Sequence, residues 1–208
     1  MKLLVATRSK HKMSEISKIL REVSGLDLLD LQAVGIELSC AENDLEPYDS
    51  FDENAQSKAE YFHKLVGLPT VADDSGLEVD ALGGAPGVRS KRFAPSRGLS
   101  GQDLDDANNQ YLLAQLKSVA PASCTARYVC VAVLLGIKEE APLVCRGEAP
   151  GLVIDTPHGS GGFGYDPYIF DPEFGCTFAE MSTDEKNKRS HRGKAFRAIG
   201  EALEKRTL

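Results

Sequence analysis

The chain of 208 residues lacks the sequence features of a membrane protein, a secreted protein or a zinc-binding protein. No run approaches the ~20 apolar residues that a membrane-spanning helix needs, and the start Met-Lys-Leu-Leu-Val-Ala is too short an apolar run for a signal peptide. Its five cysteines include no Cys-x-x-Cys pair, which disfavours a zinc site or a disulfide framework. We therefore expect a cytoplasmic protein with reduced cysteines and no membrane partner.

Positive charge is also scarce, because the formal net charge is −7. This balance argues against a nucleic-acid partner, since binding along a phosphate backbone needs a basic face. The charges are unevenly spread, with six Lys or Arg between Lys186 and Arg197 and acidic residues gathered at 42–53 and at Asp73 and Asp74. A solvated helix face is the ordinary interpretation of the basic run. The alternative is a site for a compact anionic ligand and a divalent cation, which needs both signs of charge close together.

Several motifs of known chemistry are missing. The stretch Gly159-Ser-Gly161-Gly-Phe-Gly164 matches G-x-G-x-x-G, but a dinucleotide-binding fingerprint must lead from a strand into a helix. Here Asp166-Pro167 follows, and then a strand-like segment, so we reject that function. Neither a Walker-type phosphate loop nor a Gly-x-Ser-x-Gly elbow occurs, which disfavours a P-loop enzyme and a serine hydrolase.

Hydrophobic spacing predicts the main elements. Strands are expected at 2–6, 68–72, 126–135 and 142–148, and helices after the first strand, from near Ser50, over 103–118 and over 191–205. Ser50 and Glu53 have the spacing of a capping box. Hydrophobic residues make up 42% of the chain, enough for a sizeable core. Because strands and helices alternate at both ends around a β-rich middle, we predict a mixed α/β fold.

Two polar segments follow predicted strands. Thr7–Lys12 lies between the first strand and the first helix, where free backbone amides and cations can hold phosphates, although a polar loop explains it about as well. Asp73 and Asp74 end an apolar strand, and they repel each other unless a cation neutralises them. The alternative for this pair is a turn in which an aspartate caps a helix.

Two further segments lie on a helix and on a glycine-rich loop. Asn54 and Lys58 are four residues apart and so share a helix face, for which a solvent-facing pair is the ordinary interpretation. Phe163–Asp166 places an aromatic ring on a loop, which suits stacking on a base. Side-chain donors that suit recognition of a base edge follow at Lys186, His191 and Arg192. A histidine at a helix start is more often a cap than a ligand.

In this order the segments resemble the inosine triphosphate pyrophosphatase family, which hydrolyses non-standard purine nucleoside triphosphates. The matching stretches span most of the chain, and they read ATRSKHKMSEI, SFDENAQSKA, VADDSGLEVDALGGAPGVRS, GGFGYDP and EKNKRSHRGKA. ADDSGL and GGFGYDP together are very specific to the family. The resemblance implies that residues 1–208 form one α/β domain, an elongated mixed sheet with flanking helices, in two lobes with the active-site cleft between them, usually as a homodimer.

The resemblance also assigns roles to residues. Asp74 matches the catalytic base and a ligand of Mg²⁺, the implied cofactor, and Lys58 would stabilise phosphate charge. The second metal ligand is Glu46 by preference and Glu42 as the alternative, because the segment around them departs from the family pattern. The triphosphate-binding segment comprises Thr7, Arg8, Ser9, Lys10, His11 and Lys12, with Ser9 where the family usually has Asn. Further implied substrate contacts are Ser75, Phe163, Gly164, Tyr165, Asp166, Lys186, His191 and Arg192.

The implied reaction converts ITP, dITP or XTP into the nucleoside monophosphate and pyrophosphate. Hypoxanthine and xanthine present an acceptor at purine position 6 where adenine presents a donor. Donors at Lys186, His191 and Arg192 are therefore expected to favour 6-oxo purines. Two alternatives stay open: a protein that binds nucleotides without turnover, and a related enzyme that releases orthophosphate or prefers another base.

Overall fold

The computed structural model describes residues 1–95, 98–137 and 141–207, and its backbone divides into two compact units. Unit 1 comprises Met1–Asp74, Cys130–Gly147 and His191–Leu208. Unit 2 comprises Ser75–Val129 and Glu148–Ser190. Within the described ranges, no helix is both long and apolar enough to cross a membrane.

The elements alternate between strands and helices at both ends of the chain. The strands are β1 Lys2–Val5, β2 Asp27–Leu29, β3 Thr70–Val79, β4 Pro86–Gly87, β5 Thr125–Leu135, β6 Leu143–Val153, β7 Ile169–Asp171 and β8 Cys176–Thr177. The α-helices are α1 Lys10–Leu20, α2 Phe51–Val66, α3 Gly101–Leu116, α4 Thr183–Arg189 and α5 His191–Thr207.

The strands form one mixed sheet in the order β2-β1-β3-β5-β6-β7-β8, with β4 paired to β3. β1 is parallel to both β2 and β3, whereas β3 with β4, β6 with β7 and β7 with β8 are antiparallel pairs. Parallel strands at one end and antiparallel strands at the other need different connections, helical crossovers in the first case and short turns in the second. The predicted mixed α/β class is confirmed.

The core of unit 1 packs α1 and α5 against apolar side chains of the sheet. Ile16, Ile19 and Leu20 of α1 are buried at helical spacing, and Phe196 and Ile199 of α5 are fully buried in the same cluster. Each such side chain contributes about 1.5–3 kcal/mol when it is removed from water. The helices therefore form where their apolar stripes can be buried together, as the spacing predicts.

Unit 2 has its own core beneath α3. Leu112 and Leu116 of α3 pack with Leu77 of β3, and the ring of Tyr128 meets that of Phe178 edge to face at 5.3 Å between centroids. Aromatic pairs prefer this offset geometry.

Two predicted strands continue further than their apolar runs. The strand expected at 68–72 continues to Val79, so the turn considered for Asp73 and Asp74 is wrong. The strand expected at 142–148 continues to Val153. The sequence pattern stopped early because polar residues interrupt both runs, yet in β3 these polar residues have partners inside the protein. The expected free cysteines are confirmed, although Cys40 is exposed rather than in a core.

Gly147 of β6 allows the first turn of α5 to approach the sheet. A Cβ at this position would lie 2.1 Å from the carbonyl oxygen of His191 and 2.7 Å from the backbone nitrogen of Ala195. Since both neighbours are backbone atoms, they can yield only if the helix moves.

Gly147→Ala should therefore lower the free energy of unfolding by about 1–3 kcal/mol, the usual cost of overpacking. Gly200→Ala is the matched control, because its Cβ would meet the flexible side chain of Val23 at 2.9 Å and alanine favours the helix. Urea unfolding of both variants measures the difference, and equal midpoints would contradict this account.

Candidate active site

Asp73 and Asp74 project from opposite faces of β3, because successive side chains of a strand alternate. Asp73 is 1% exposed and meets cations from α1 and α5. Asp74 is 6% exposed and meets an amide from α2. The two adjacent carboxylates therefore accept these hydrogen bonds and ion pairs from different elements.

Asp73 holds two cations of unit 1. Its Oδ2 accepts a hydrogen bond from Lys12 Nζ at 2.9 Å and lies 3.5 Å from Arg192 Nε. Arg192 is 2% exposed, and its Nη1 donates to Glu15 Oε2 at 2.5 Å. Burial acts to lower the pKa of Arg192, but the negative charges of Asp73 and Glu15 have the larger effect and raise it. Lys12, Asp73, Arg192 and Glu15 form a chain of alternating charge in which Asp73 and Arg192 are buried and the two outer residues are half-buried.

Asp74 is held by Asn54, which is fully buried. Asn54 Nδ2 donates to Asp74 Oδ2 at 3.1 Å and to the carbonyl of Tyr48 at 3.1 Å, and Asn54 Oδ1 accepts from Tyr48 N at 2.9 Å. Burial raises the pKa of Asp74 above its ordinary value, against the opposing effect of Lys58 and Lys12. The ordinary interpretation of Asn54 and Lys58 as a solvent-facing pair is wrong.

Lys58 forms an ion pair with Glu46 in the same group. The Lys58 side chain is 13% exposed. Burial disfavours its charge, but Glu46, Asp73 and Asp74 outweigh burial and raise its pKa. Burial acts to raise the pKa of Glu46, and Lys58 reverses this so that the pKa lies below its ordinary value. We call Glu46, Asp73, Asp74, Lys12 and Lys58 the carboxylate–lysine cluster.

Glu42 is engaged elsewhere. Its two carboxylate oxygens accept from Arg8 at 2.7 and 2.9 Å, and one of them also accepts from Ser39 N at 3.2 Å. The hydrogen bond from Arg8 lowers the pKa of Glu42. Arg8 also donates to the carbonyls of Ile36 and Glu37. Glu42 is therefore part of a hydrogen-bonded group that connects residues 36–42 to Arg8.

The remaining residues of Thr7–Lys12 shape the start of α1. Ser9 is the N-cap, and its hydroxyl accepts from Lys12 N at 3.3 Å, while Thr7 Oγ1 accepts from Ser9 N at 3.2 Å. Lys10 and His11 are exposed. The segment therefore presents the amide end of a helix, which favours anions.

The carboxylate–lysine cluster fits a divalent cation. It contains three carboxylates and two ammonium groups, an excess of one negative charge, and the neighbouring pair of Arg192 and Glu15 is neutral. In the described part of the chain, no group of three or more His, Cys, Asp or Glu side chains is arranged to hold a metal. Mg²⁺ is suited to a sparser set, since it uses one or two carboxylates together with waters and substrate phosphates.

In unit 2, Phe163–Asp166 forms a turn that we call the aromatic turn. Asp166 is 4% exposed; its Oδ1 accepts from Tyr128 Oη at 3.0 Å, and its Oδ2 accepts from Phe163 N and Lys186 Nζ, each at 2.8 Å. Lys186 Nζ also lies 4.9 Å from the centre of the Phe163 ring. Asp166 therefore fixes both the aromatic residue and the cation beside it.

The other expected contacts are distributed between the units. Tyr165 is buried, and its hydroxyl donates to the carbonyl of Ser90 at 2.7 Å. Ser75 follows Asp74 in β3 and is partly exposed. Lys186 belongs to unit 2, whereas His191 and Arg192 begin α5 in unit 1. The base-recognition roles of Lys186, His191 and Arg192 stay predictions.

Sequence reasoning missed several residues that organise these groups. Glu15 pairs with Arg192, and Tyr128 binds Asp166. Asp105 and Asn109 of α3 both bind Gly164. Helical spacing could have indicated that Asp105 and Asn109 share a face, but no sequence pattern gives their partner.

Comparisons with known proteins agree across the whole chain. A sequence model of the Ham1 family matches residues 3–202. The dITP/XTP pyrophosphatase of Shigella flexneri is 44% identical over 204 residues, which cover 97% of this chain and 98% of that protein. The structure of a HAM1 protein from Coxiella burnetii superimposes with a TM-score of 0.84 at 32% identity, covering 99% of both chains. A nucleoside-triphosphatase / dITP/XTP pyrophosphatase from Mycobacterium abscessus gives a TM-score of 0.73 at 38% identity, covering 98% of this chain and 100% of that one.

Asp73→Asn should lower the free energy of unfolding by about 3–5 kcal/mol, because it removes one partner from buried cations. Asp52→Asn is the control, since Asp52 is 58% exposed in its side chain and lies 4.0 Å from Arg146. Such a surface pair contributes about 1 kcal/mol or less. Urea unfolding of the two variants measures both losses of stability. Losses of equal size would show that Asp73 does not stabilise the protein through Lys12 and Arg192.

Proposed function

The chain belongs to the Ham1 family, as the sequence resemblance indicated, and we propose that it is a dITP/XTP pyrophosphatase. In this function it removes ITP, dITP and XTP from the nucleotide pool as monophosphate and pyrophosphate. The observation that supports the chemistry best is the carboxylate–lysine cluster, which combines an excess of negative charge with two ammonium groups.

Glu46 and Asp74 are the residues that would hold Mg²⁺. When bound, this ion offsets the charge of phosphate oxygens and polarises the phosphorus. Glu42 is the weaker choice because Arg8 already binds both of its oxygens. Asp74 and Glu46 instead influence each other electrostatically within the cluster.

Asp74 would act as the base that takes a proton from the water attacking the α-phosphorus. Asn54 holds one oxygen of Asp74 at 3.1 Å and is itself fixed by two bonds to Tyr48, so the carboxylate has a defined orientation. Lys58 and Lys12 would donate to phosphate oxygens as negative charge moves onto the leaving pyrophosphate. The helix start after Thr7–Lys12 supplies further backbone donors.

The aromatic turn would bind the base. The Phe163 ring offers a stacking surface, which does not by itself distinguish one purine from another. Lys186 can only donate hydrogen bonds, so it favours the oxygen at position 6 of hypoxanthine and xanthine over the amino group of adenine. A site that leaves polar groups unpaired with the wrong base can discriminate by ~10⁴-fold or more.

The proposal includes the finer properties that accompany this activity. We take Mg²⁺ as the cofactor, a homodimer as the assembly and the cytoplasm as the compartment. The five free cysteines are in keeping with a reducing compartment. The homodimer is carried over from the family resemblance, and the oligomeric state in solution is its direct test.

With ITP, dITP or XTP and magnesium, the inorganic product should be pyrophosphate, and EDTA should abolish turnover. Asp74→Asn should lower kcat by at least ~10²-fold, the scale for loss of a positioned base, while the fold is kept. Product analysis by ³¹P NMR and circular dichroism of the variant provide the two measurements.

GTP and ATP in the same assay are the control substrates, and Asp52→Asn is the control variant. Orthophosphate with a nucleoside diphosphate as first product would contradict attack at the α-phosphorus. Saturable binding of ITP without any turnover would instead support a nucleotide-binding protein.

Glu46→Gln should raise the magnesium concentration needed for half-maximal activity, because it removes a ligand charge. Glu42→Gln is a matched control that makes the same chemical change beside Arg8 and should leave this concentration nearly unchanged. Magnesium titrations at saturating ITP compare the two variants. The reverse order would move the second metal ligand to Glu42.

A further inference from the structure

Both backbone polar groups of Gly164 are bound by one face of α3. Asp105 Oδ2 accepts from Gly164 N at 2.9 Å, and Asn109 Nδ2 donates to the Gly164 carbonyl at 3.0 Å. Residues four apart on a helix are neighbours on its surface, so an acceptor and a donor are presented side by side. They match the N–H and the C=O of a single residue, and we call the pair the α3 clamp.

The α3 clamp completes the fixation of the aromatic turn from outside the turn. Phe163 N is bound by Asp166, which in turn is held by Tyr128 and Lys186. Gly164 lies at φ +64°, a conformation that glycine adopts without strain and other residues adopt rarely. Within the turn, the Phe163 carbonyl accepts from Asp166 N at 3.3 Å, and among the described residues the clamp adds partners for the N–H and the C=O of Gly164.

Asn109 binds Gly164 through its amide nitrogen, whereas its amide oxygen is left unsatisfied among the described residues. The residue is 3% exposed, and its Oδ1 is buried with no hydrogen-bond partner among the described residues. Leaving a buried acceptor unsatisfied is unfavourable. If stability alone determined this position, the side chain would have both polar atoms satisfied or would be apolar. The hydrogen bond to Gly164 therefore accounts for an asparagine here.

We propose that Asp105 and Asn109 are positioning residues for base recognition, acting through Gly164 to fix the Phe163 ring; this rests on the proposed function. A stacking surface that is already ordered binds its ligand without the entropic cost of ordering it. The clamp belongs to unit 2, whereas the carboxylate–lysine cluster and Thr7–Lys12 belong to unit 1. Its loss therefore weakens nucleotide binding and leaves the chemical step in place.

The chain contains no tryptophan, so Phe163→Trp introduces a single fluorescent reporter on the turn. In this background Asp105→Ala and Asn109→Ala each remove one bond, and Asp105→Asn restores an acceptor as the conservative rescue. Asp106→Ala is the matched control, since Asp106 is exposed on the same helix and binds Gln102 at 2.8 Å. ITP quenching of the reporter, its anisotropy decay without ligand, and KM and kcat in the Phe163 protein are the measurements.

Each alanine variant should raise the half-saturating ITP concentration and KM by about 10-fold, as expected for one lost hydrogen bond. The kcat value should change far less than KM, Asp105→Asn should recover most of the affinity, and Asp106→Ala should behave as the parent. Without ligand, the nanosecond motion of the reporter should increase in the two alanine variants alone.

The proposal is overturned if the clamp variants lower only the thermal unfolding temperature, with the KM and reporter motion of the parent. It is also overturned if Asp106→Ala shows the same changes. If ITP does not quench the reporter in the Phe163→Trp parent and ITP is not hydrolysed either, the proposed function fails. In that case increased reporter motion in the clamp variants still supports the positioning role.

Discussion

The alternation of side chains along β3 is the constraint on which the carboxylate–lysine cluster depends. Because neighbouring residues of a strand face opposite ways, Asp73 and Asp74 are adjacent in sequence and yet separated in environment. Asp73 is neutralised by Lys12 and Arg192 and links α1 and α5 to the strand. Asp74 accepts a hydrogen bond from the neutral amide of Asn54. Asp73 therefore links the helices to the strand, and Asp74 is the residue to which the proposed function assigns the role of base.

The same arrangement brings charges of both signs close together in the carboxylate–lysine cluster. Lys58 is paired with Glu46, and both aspartates contribute to its charged state. Burial raises the pKa of Asp74 against the opposing effect of Lys58 and Lys12. In the proposed function, a divalent ion would compensate the charge of the carboxylates and an anionic substrate would compensate the two ammonium groups. Opposite charges held close together but not fully paired are what such a substrate requires.

The sequence was sufficient for the parts of the protein that follow a local rule. Apolar spacing located α1 and α5, and Ser50 was recognised as the cap of α2. The length of β3 was not predicted, because its polar residues obtain partners only from distant segments. For the same reason a solvent-facing pair was the ordinary interpretation of Asn54 and Lys58: their helix position is visible in the sequence, but the carboxylates that face them lie on other elements. The family resemblance supplied roles for individual residues, whereas contacts such as that between Glu15 and Arg192 needed the fold.

The glycines of the rejected dinucleotide fingerprint have a different physical purpose. A Cβ at Gly162 would lie 2.1 Å from Asp166 Oδ2, the oxygen that binds Phe163 N and Lys186. A Cβ at Gly159 would lie 2.6 Å from the carbonyl carbon of Ala179, and one at Gly161 would lie 2.8 Å from the Ala179 oxygen. These glycines thus allow the loop to pack against its own unit and to close around Asp166. The G-x-G-x-x-G spacing arises here because these glycines lie close to other atoms of the protein. They permit the aromatic turn, to which the proposed function assigns base binding.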